Sequence, residues 1–297
     1  MLLSGNWIAV CAFLVWGLLP LYFQYIPNSN VFEILAIRVL FSIPFIYLLL
    51  KLVSIPSQTV WQAMRSKRTL LLCFLAGLFN CVSLYSFTWA VTNGQVLAAS
   101  LGYFINPIFS IILGVIFLKD RLSKNQKAAV ALSLVGIGYQ VMYYGELPWL
   151  SLIMGGAFAL YGLIKKFVNL DALSIMLIEL ITMLPIALFI LFGEVWQGSS
   201  VWQSGDTTTM WLYLLSAPIT LIPLLLFSLA VERTSLVMIG FIQYIEPSLQ
   251  FLLAVIVFGE VLLQVKVVSF GLIWLGLLLC LADMAMKKPT LPPSTAG

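Results

Sequence analysis

The chain has 297 residues, of which 62% are hydrophobic and only 9% charged, and its mean hydropathy is +1.08. Soluble domains carry about 25% charged residues, so a soluble fold is excluded. The apolar runs are long and continuous rather than alternating, which excludes a transmembrane β-barrel. The net charge of +4 comes from 15 basic and 11 acidic residues. The basic ones stand in short clusters between apolar runs, a pattern that does not point to nucleic acid.

A membrane-crossing helix needs about 20 apolar residues. Hydropathy and its breaks predict spans in chain order, the first over 6–26. No basic leader region or Ala-x-Ala-like site accompanies it, so it is expected to be retained. The second, 30–52, carries Glu33 near one end and Arg38 about 12 Å in, at about 1.5 Å per residue. A connection near 53–69 leads to span 70–91. Span 95–118 contains Tyr103 and the pair Asn106-Pro107, and 125–144 follows. Span 148–168 ends at Lys165 and Lys166. Span 172–192 carries Glu179 at a depth similar to that of Arg38. After a second long connection near 193–208 come spans 209–231, 235–258 and 264–286. The ninth contains Gln243, Tyr244 and the pair Glu246-Pro247. The Pro/Ser/Thr-rich tail 289–297 is expected to be disordered and cytoplasmic.

Lys51, Arg65, Lys67, Arg68, Lys119, Arg121, Lys124, Lys127, Lys165, Lys166, Arg233, Lys287 and Lys288 all fall on one side of a ten-span chain. The other side holds Glu146, Glu194, Asp206 and Glu260, with Lys266 its only basic residue. The excess of Lys and Arg on cytoplasmic loops then places both termini in the cytoplasm. Cys11, Cys73, Cys81 and Cys280 are scattered through apolar segments and form no CxxC pair, so neither a disulfide framework nor a zinc site is expected.

The chain matches itself 140 positions apart. Asn106-Pro107 meets Glu246-Pro247, Ala90 meets Ala230, Asp120 meets Glu260 and Gly136 meets Gly276. Earlier in each half, Arg38 meets Glu179 and Pro44 meets Pro185 at an offset of 141. The expected domains are residues 1–145 and 146–288. Each half holds five spans, an odd number, so the second enters the membrane from the opposite side. The expected fold class is therefore an all-α integral membrane protein, with ten transmembrane helices in two inverted five-helix repeats around a central cavity.

The stretch Leu113-Gly114-Val115-Ile116-Phe117-Leu118-Lys119-Asp120-Arg121-Leu122-Ser123 resembles a signature of the drug/metabolite transporter superfamily, in its EamA-like branch. Trp16-Gly17-Leu18-Leu19-Pro20-Leu21-Tyr22, Glu33-Ile34-Leu35-Ala36-Ile37-Arg38, Asn93-Gly94 and Ala99 to Pro107 narrow the resemblance to the RarD family of bacterial permeases. The likeness covers nearly the whole chain. It implies a ten-helix permease of the bacterial inner membrane, in a family whose names associate it with chloramphenicol sensitivity. The family often has histidine just before the arginine. Here the position is Ile37 and the chain has no histidine, so a histidine proton relay is excluded.

Ionisable groups inside the membrane need a partner or a wet cavity. Arg38 and Glu179 are expected to meet near the midplane, or to share an anionic substrate or a proton; a fixed ion pair holding the halves together is the structural alternative. Proline removes an intrahelical hydrogen bond and frees a carbonyl, so Asn106 and Glu246 are placed to face a cavity. Glu246 is a candidate proton carrier or cation-binding carboxylate. Asn106 otherwise bonds a neighbouring helix. Glu33 either complements its helix dipole or gates the outer mouth. Trp16, Tyr22, Tyr85, Trp89, Tyr103 and Tyr244 could line a pocket for a planar substrate, or else pack in the core. Gln243 completes the candidate set. Asp120 and Glu260 are expected to cap the helices that follow them. Ser110, Gly114, Gly136, Gly271 and Gly276 are expected to bring helices 4 and 5, and 9 and 10, together.

No GxxxxGK[ST] loop is present, so ATP does not drive this chain directly. The reading is a secondary transporter for a small metabolite or drug-like molecule, coupled to protons or working as an uncoupled facilitator. An intramembrane carboxylate enzyme lacks a motif. A retinal pigment would need a buried lysine, and none is expected mid-span. The first span has no acid, which weakens a lipophilic-cation substrate. The expected partners are the lipid bilayer, a small-molecule substrate and protons. No nucleic acid, cofactor or metal is expected, and the assembly is a monomer or homodimer.

Overall fold

The computed structural model describes residues 4–23, 25–26, 30–92, 96–145, 149–204, 206–257, 259 and 263–286. Glu260, Lys287, Lys288 and the tail 289–297 lie outside the described residues. Every regular element among them is helical. In chain order these are α1 Gly5–Leu18, α2 Pro20–Phe23, α3 Val31–Leu52, α4 Ser57–Met64, α5 Lys67–Thr92, α6 Val96–Phe117 and α7 Lys124–Tyr144. They continue as α8 Trp149–Lys166, α9 Ala172–Gln197, α10 Val201–Ser204, α11 Thr207–Arg233, α12 Leu236–Gln243, α13 Ile245–Ile256 and α14 Gln264–Met286. Six of the described helical stretches are long and apolar enough to cross a membrane. The chain is an integral membrane protein.

Two predicted spans are interrupted. The first breaks at Leu19, ahead of Pro20. The ninth breaks at Tyr244, where α12 ends and α13 begins. Pro247 has no N–H to give the carbonyl one turn back, that of Gln243, which is where the regular ladder stops. The two long connections are also not plain loops. Residues 57–64 form α4, which buries Val60. The second connection is shortened by α9, which runs on to Gln197, and holds the short α10.

The chain forms two compact units. One comprises Met1–Asp120 with Pro148–Glu260, the other Arg121–Leu147 with Val261–Gly297. In the larger unit α1 packs on α11, α12 and α13; α3 on α9 and α11; α5 on α8 and α9; and α6 on α8 and α12. In the smaller unit α7 packs on α14. The close approaches use glycine. A Cβ on Gly240 of α12 would stand 2.8 Å from the Pro107 carbonyl oxygen of α6, and one on Gly155 of α8 would stand 2.9 Å from the Asn106 nitrogen. Gly136 and Gly276 likewise bring α7 against α14. The expected seams were therefore misassigned. Ser110 and Gly114 of α6 face α12, Gly136 and Gly276 join α7 to α14, and a Cβ on Gly271 would meet nothing within 4 Å among the described residues.

Hydrogen bonds gather helix ends of the larger unit into two sets. At one end Thr234 donates to the Asn6 side chain, Lys166 donates to the Thr234 carbonyl at 2.6 Å, and the Ala172 amide donates to Glu232 at 3.3 Å. The Val237 amide donates to Asp120 at 3.3 Å. Asp120 thus serves the start of α12 rather than that of the helix after it. Ser123 caps α7, in a capping box with Gln126. At the other end the Tyr22 hydroxyl donates to the Leu212 carbonyl and the Asn30 amide donates to Tyr213 at 3.1 Å. Asp206 caps α11 there; bonds from the Thr209 hydroxyl and nearby amides hold its carboxyl below the usual carboxylate range. Trp149, Trp196, Trp202 and Trp211 are exposed, as suits residues at a membrane interface.

Candidate functional site

Arg38 lies in the second turn of α3 and Glu179 in the second turn of α9, two helices that pack together. Both line one cavity of about 60 Å³, with walls from α3, α5, α8, α9 and α11. They do not form the expected ion pair. Glu179 is bonded instead to Lys165, whose Nζ stands 2.7 Å from Oε1, and the two side chains are 1% and 9% exposed. The same Nζ donates to the Tyr161 hydroxyl at 3.2 Å. Tyr161 and Lys165 are four residues apart on α8, so they share a face. Lys165 is in the last turn of α8, not mid-span, yet it is buried. Lys165 reaches inward from the last turn of α8 to the carboxylate, and only Lys166 stays at the helix end.

Arg38 is left without an ion pair or hydrogen bond among the described residues. Its electrostatic neighbours are Tyr22 and Cys81, and neither offers a carboxylate. Asn80, from α5, also lines the cavity, and its buried Oδ1 has no donor among the described residues. The remaining wall is largely apolar, with Leu35, Val39, Leu180, Met183 and Leu224.

A second polar group lies where α6 meets the α12–α13 break. Ser110 Oγ donates to Gln243 Oε1 at 3.4 Å, while Gln243 Nε2 and Asn106 Oδ1 have no partner among the described residues. Glu246 is 6% exposed and sits in the first turn of α13, where the helix dipole favours a carboxylate. Gln250 Nε2 donates to it at 3.4 Å, and no cation among the described residues pairs with it. Tyr103 is close enough to feel both Glu246 and Gln250, and its ring meets Phe87 at 5.2 Å. Tyr244, the break residue, is buried at 1% exposure.

Two candidates have structural places. Glu33 is 1% exposed and accepts from the Ser200 hydroxyl at 2.6 Å and the Val201 amide at 3.0 Å, tying the start of α3 to the start of α10. Asn30, not Glu33, caps α3. Trp16 sits in an aromatic cluster with Phe13, Phe158 and Phe227, at ring distances of 5.5–5.7 Å. It does not line the cavity. Lys165, Asn80, Tyr161 and Gln250 are the residues that sequence reasoning missed. The four-residue step from Tyr161 to Lys165 and the lone amide within span 70–91 were the available signals.

Residues 3–141 match the model of the EamA-like transporter family. Protein RarD of Salmonella typhimurium is 37% identical over 94% of this chain and 95% of that one. An uncharacterized transporter of Pseudomonas aeruginosa is 35% identical over 92% and 91% of the respective chains. One crystal structure of a protein shares the fold, with a TM-score of 0.70 and 14% identity over 93% of this chain and 97% of that chain. The chain is a membrane protein of transporter type. It belongs to the EamA-like transporter family, among RarD-like proteins.

Proposed function

We propose that this protein is a secondary transporter that moves a small metabolite or drug-like molecule across the bacterial inner membrane by alternating access. Its ten helices form two inverted five-helix repeats, 1–145 and 146–288, with both termini cytoplasmic. The observation that carries this reading is the pairing of the helices. Match the halves as α1 with α8, α3 with α9, α5 with α11, α6 with α12–α13, and α7 with α14. The contact of α1 with α11 then exchanges with that of α8 with α5. The contact of α6 with α8 exchanges with that of α12–α13 with α1, and α5 with α9 exchanges with α11 with α3. The contacts α3 with α9, α6 with α12, and α7 with α14 map onto themselves. Such a pseudo-two-fold scaffold has two equivalent ways to open, one toward each side.

The polar groups break that symmetry. Arg38 corresponds to Glu179, and Asn106 to Glu246. Glu246, buried without a cation and beside a helix break, is the proton carrier in this reading. Purified protein in proteoliposomes, offered amino acids, other metabolites and amphenicols with and without a pH gradient, tests it. Gradient-driven accumulation is expected, and Glu246→Gln is expected to leave only downhill flux. Flux that ignores the gradient in the unaltered protein supports an uncoupled facilitator and removes the proton role.

A further inference from the structure

The cavity beside Arg38 carries a net charge that no group among the described residues balances. Lys165 neutralises Glu179 at 2.7 Å, so that pair contributes no net charge to the wall. Tyr22 of α2 and Cys81 of α5, the electrostatic neighbours of the guanidinium, and Tyr161 of α8 are neutral in their ordinary states. What remains is one positive charge, on a planar fork of five N–H donors, in a wall whose other polar groups are neutral or paired. A charge so placed within a membrane protein is stable when it faces a partner or water. A cavity of about 60 Å³ has room for a small group in its present shape.

We infer that this cavity binds the carboxylate of a small organic acid, held by Arg38, with an apolar body against Leu35, Val39, Leu180 and Met183 and a hydroxyl or N–H that donates to Asn80. The assignment rests on the transporter reading and specifies its cargo as a monoanion. Geometry favours a carboxylate, because the guanidinium fork matches two coplanar oxygens. Asn80 adds the second requirement, because its buried carbonyl oxygen has no donor among the described residues. Neutral amides of the same shape would leave Arg38 unpaired. Amines would place like charges together.

The test is a ligand-observed NMR titration of the intact protein in nanodiscs. The probes are isovalerate, α-hydroxyisovalerate, isovaleramide and isopentylamine. Isovalerate is expected to bind at least about ten-fold more tightly than the amide or the amine, the size of a charge-assisted bond. The hydroxy acid is expected to bind more tightly still. Arg38→Gln is expected to erase the preference for the acid, whereas Arg38→Lys retains part of it. Asn80→Leu is expected to keep that preference and lose the gain from the hydroxyl. Elution profile and melting temperature establish that each variant is folded. Equal binding of amide or amine, unchanged acid binding in folded Arg38→Gln, or no acid binding by the unaltered protein would each overturn the inference. Binding is read here without flux. A protein that transports other solutes but ignores the acids therefore sinks this inference alone, while one that binds the acids and moves nothing sinks the transport reading.

Discussion

Lys165 and Arg38 show how partnership, rather than depth alone, sets what a charge inside an apolar helix bundle does. Lys165 is close to a helix end, yet its side chain is 1% exposed because Glu179 and Tyr161 both bind its ammonium. Removing one member of such a pair leaves a bare charge, at a penalty of about 3–5 kcal/mol, whereas replacing both with apolar groups is often neutral. Lys165→Met and Glu179→Gln are each expected to lower the melting temperature in detergent, and Lys165→Met combined with Glu179→Met to recover most of the loss. A double variant as unstable as the worse single one would show that the pair is not the stabilising unit. The sequence made Arg38, Glu179 and Glu246 visible, since charges inside apolar runs are rare. It did not disclose who pairs with whom. Lys165 looked like one of a cytoplasmic pair with Lys166, and only the packing of α8 against α5 and of α5 against α9 explains how it comes to meet Glu179. The partners of Glu33 were hidden for a similar reason, because Ser200 and Val201 are remote in sequence.

At the scale of elements, proline and glycine account for most of what departs from plain spans. Pro247 ends the regular ladder at Tyr244 and makes α12 and α13 of one predicted helix, whereas Pro107 stays inside a continuous α6. The equivalent prolines were legible in the repeat, but the different outcomes were not. Glycines were legible as close-packing residues, but their partners were not, because a small residue records that something approaches and not which helix it belongs to. Gly240→Ala would place a Cβ 2.8 Å from the Pro107 carbonyl oxygen and is expected to destabilise by about 1–3 kcal/mol, as overpacking does. Gly271→Ala meets nothing within 4 Å and is expected to be neutral or to stabilise by up to about 1 kcal/mol through helix propensity. Thermal denaturation of the two variants side by side checks the assignment. Equal melting temperatures would contradict a tight seam between α6 and α12.

For the whole molecule, composition was enough to identify a membrane protein, and the 140-residue offset was enough to suggest duplication. The inverted arrangement proposed here draws its support from the helix pairing and from two sets of helix ends. Asn6, Asp120, Lys166, Glu232 and Thr234 take part in one set of end contacts, and Tyr22, Asn30, Leu212 and Tyr213 in the other. The first set adjoins the basic clusters, which supports the proposed cytoplasmic placement of that end. Solute counterflow tests the central claim most directly. Proteoliposomes loaded with an unlabelled member of the solute panel are diluted into a trace of the same labelled solute, with no ion gradient. A carrier with alternating access predicts a transient accumulation of label above its equilibrium level. Simple equilibration of the label, or no uptake of any solute in the panel, would contradict it.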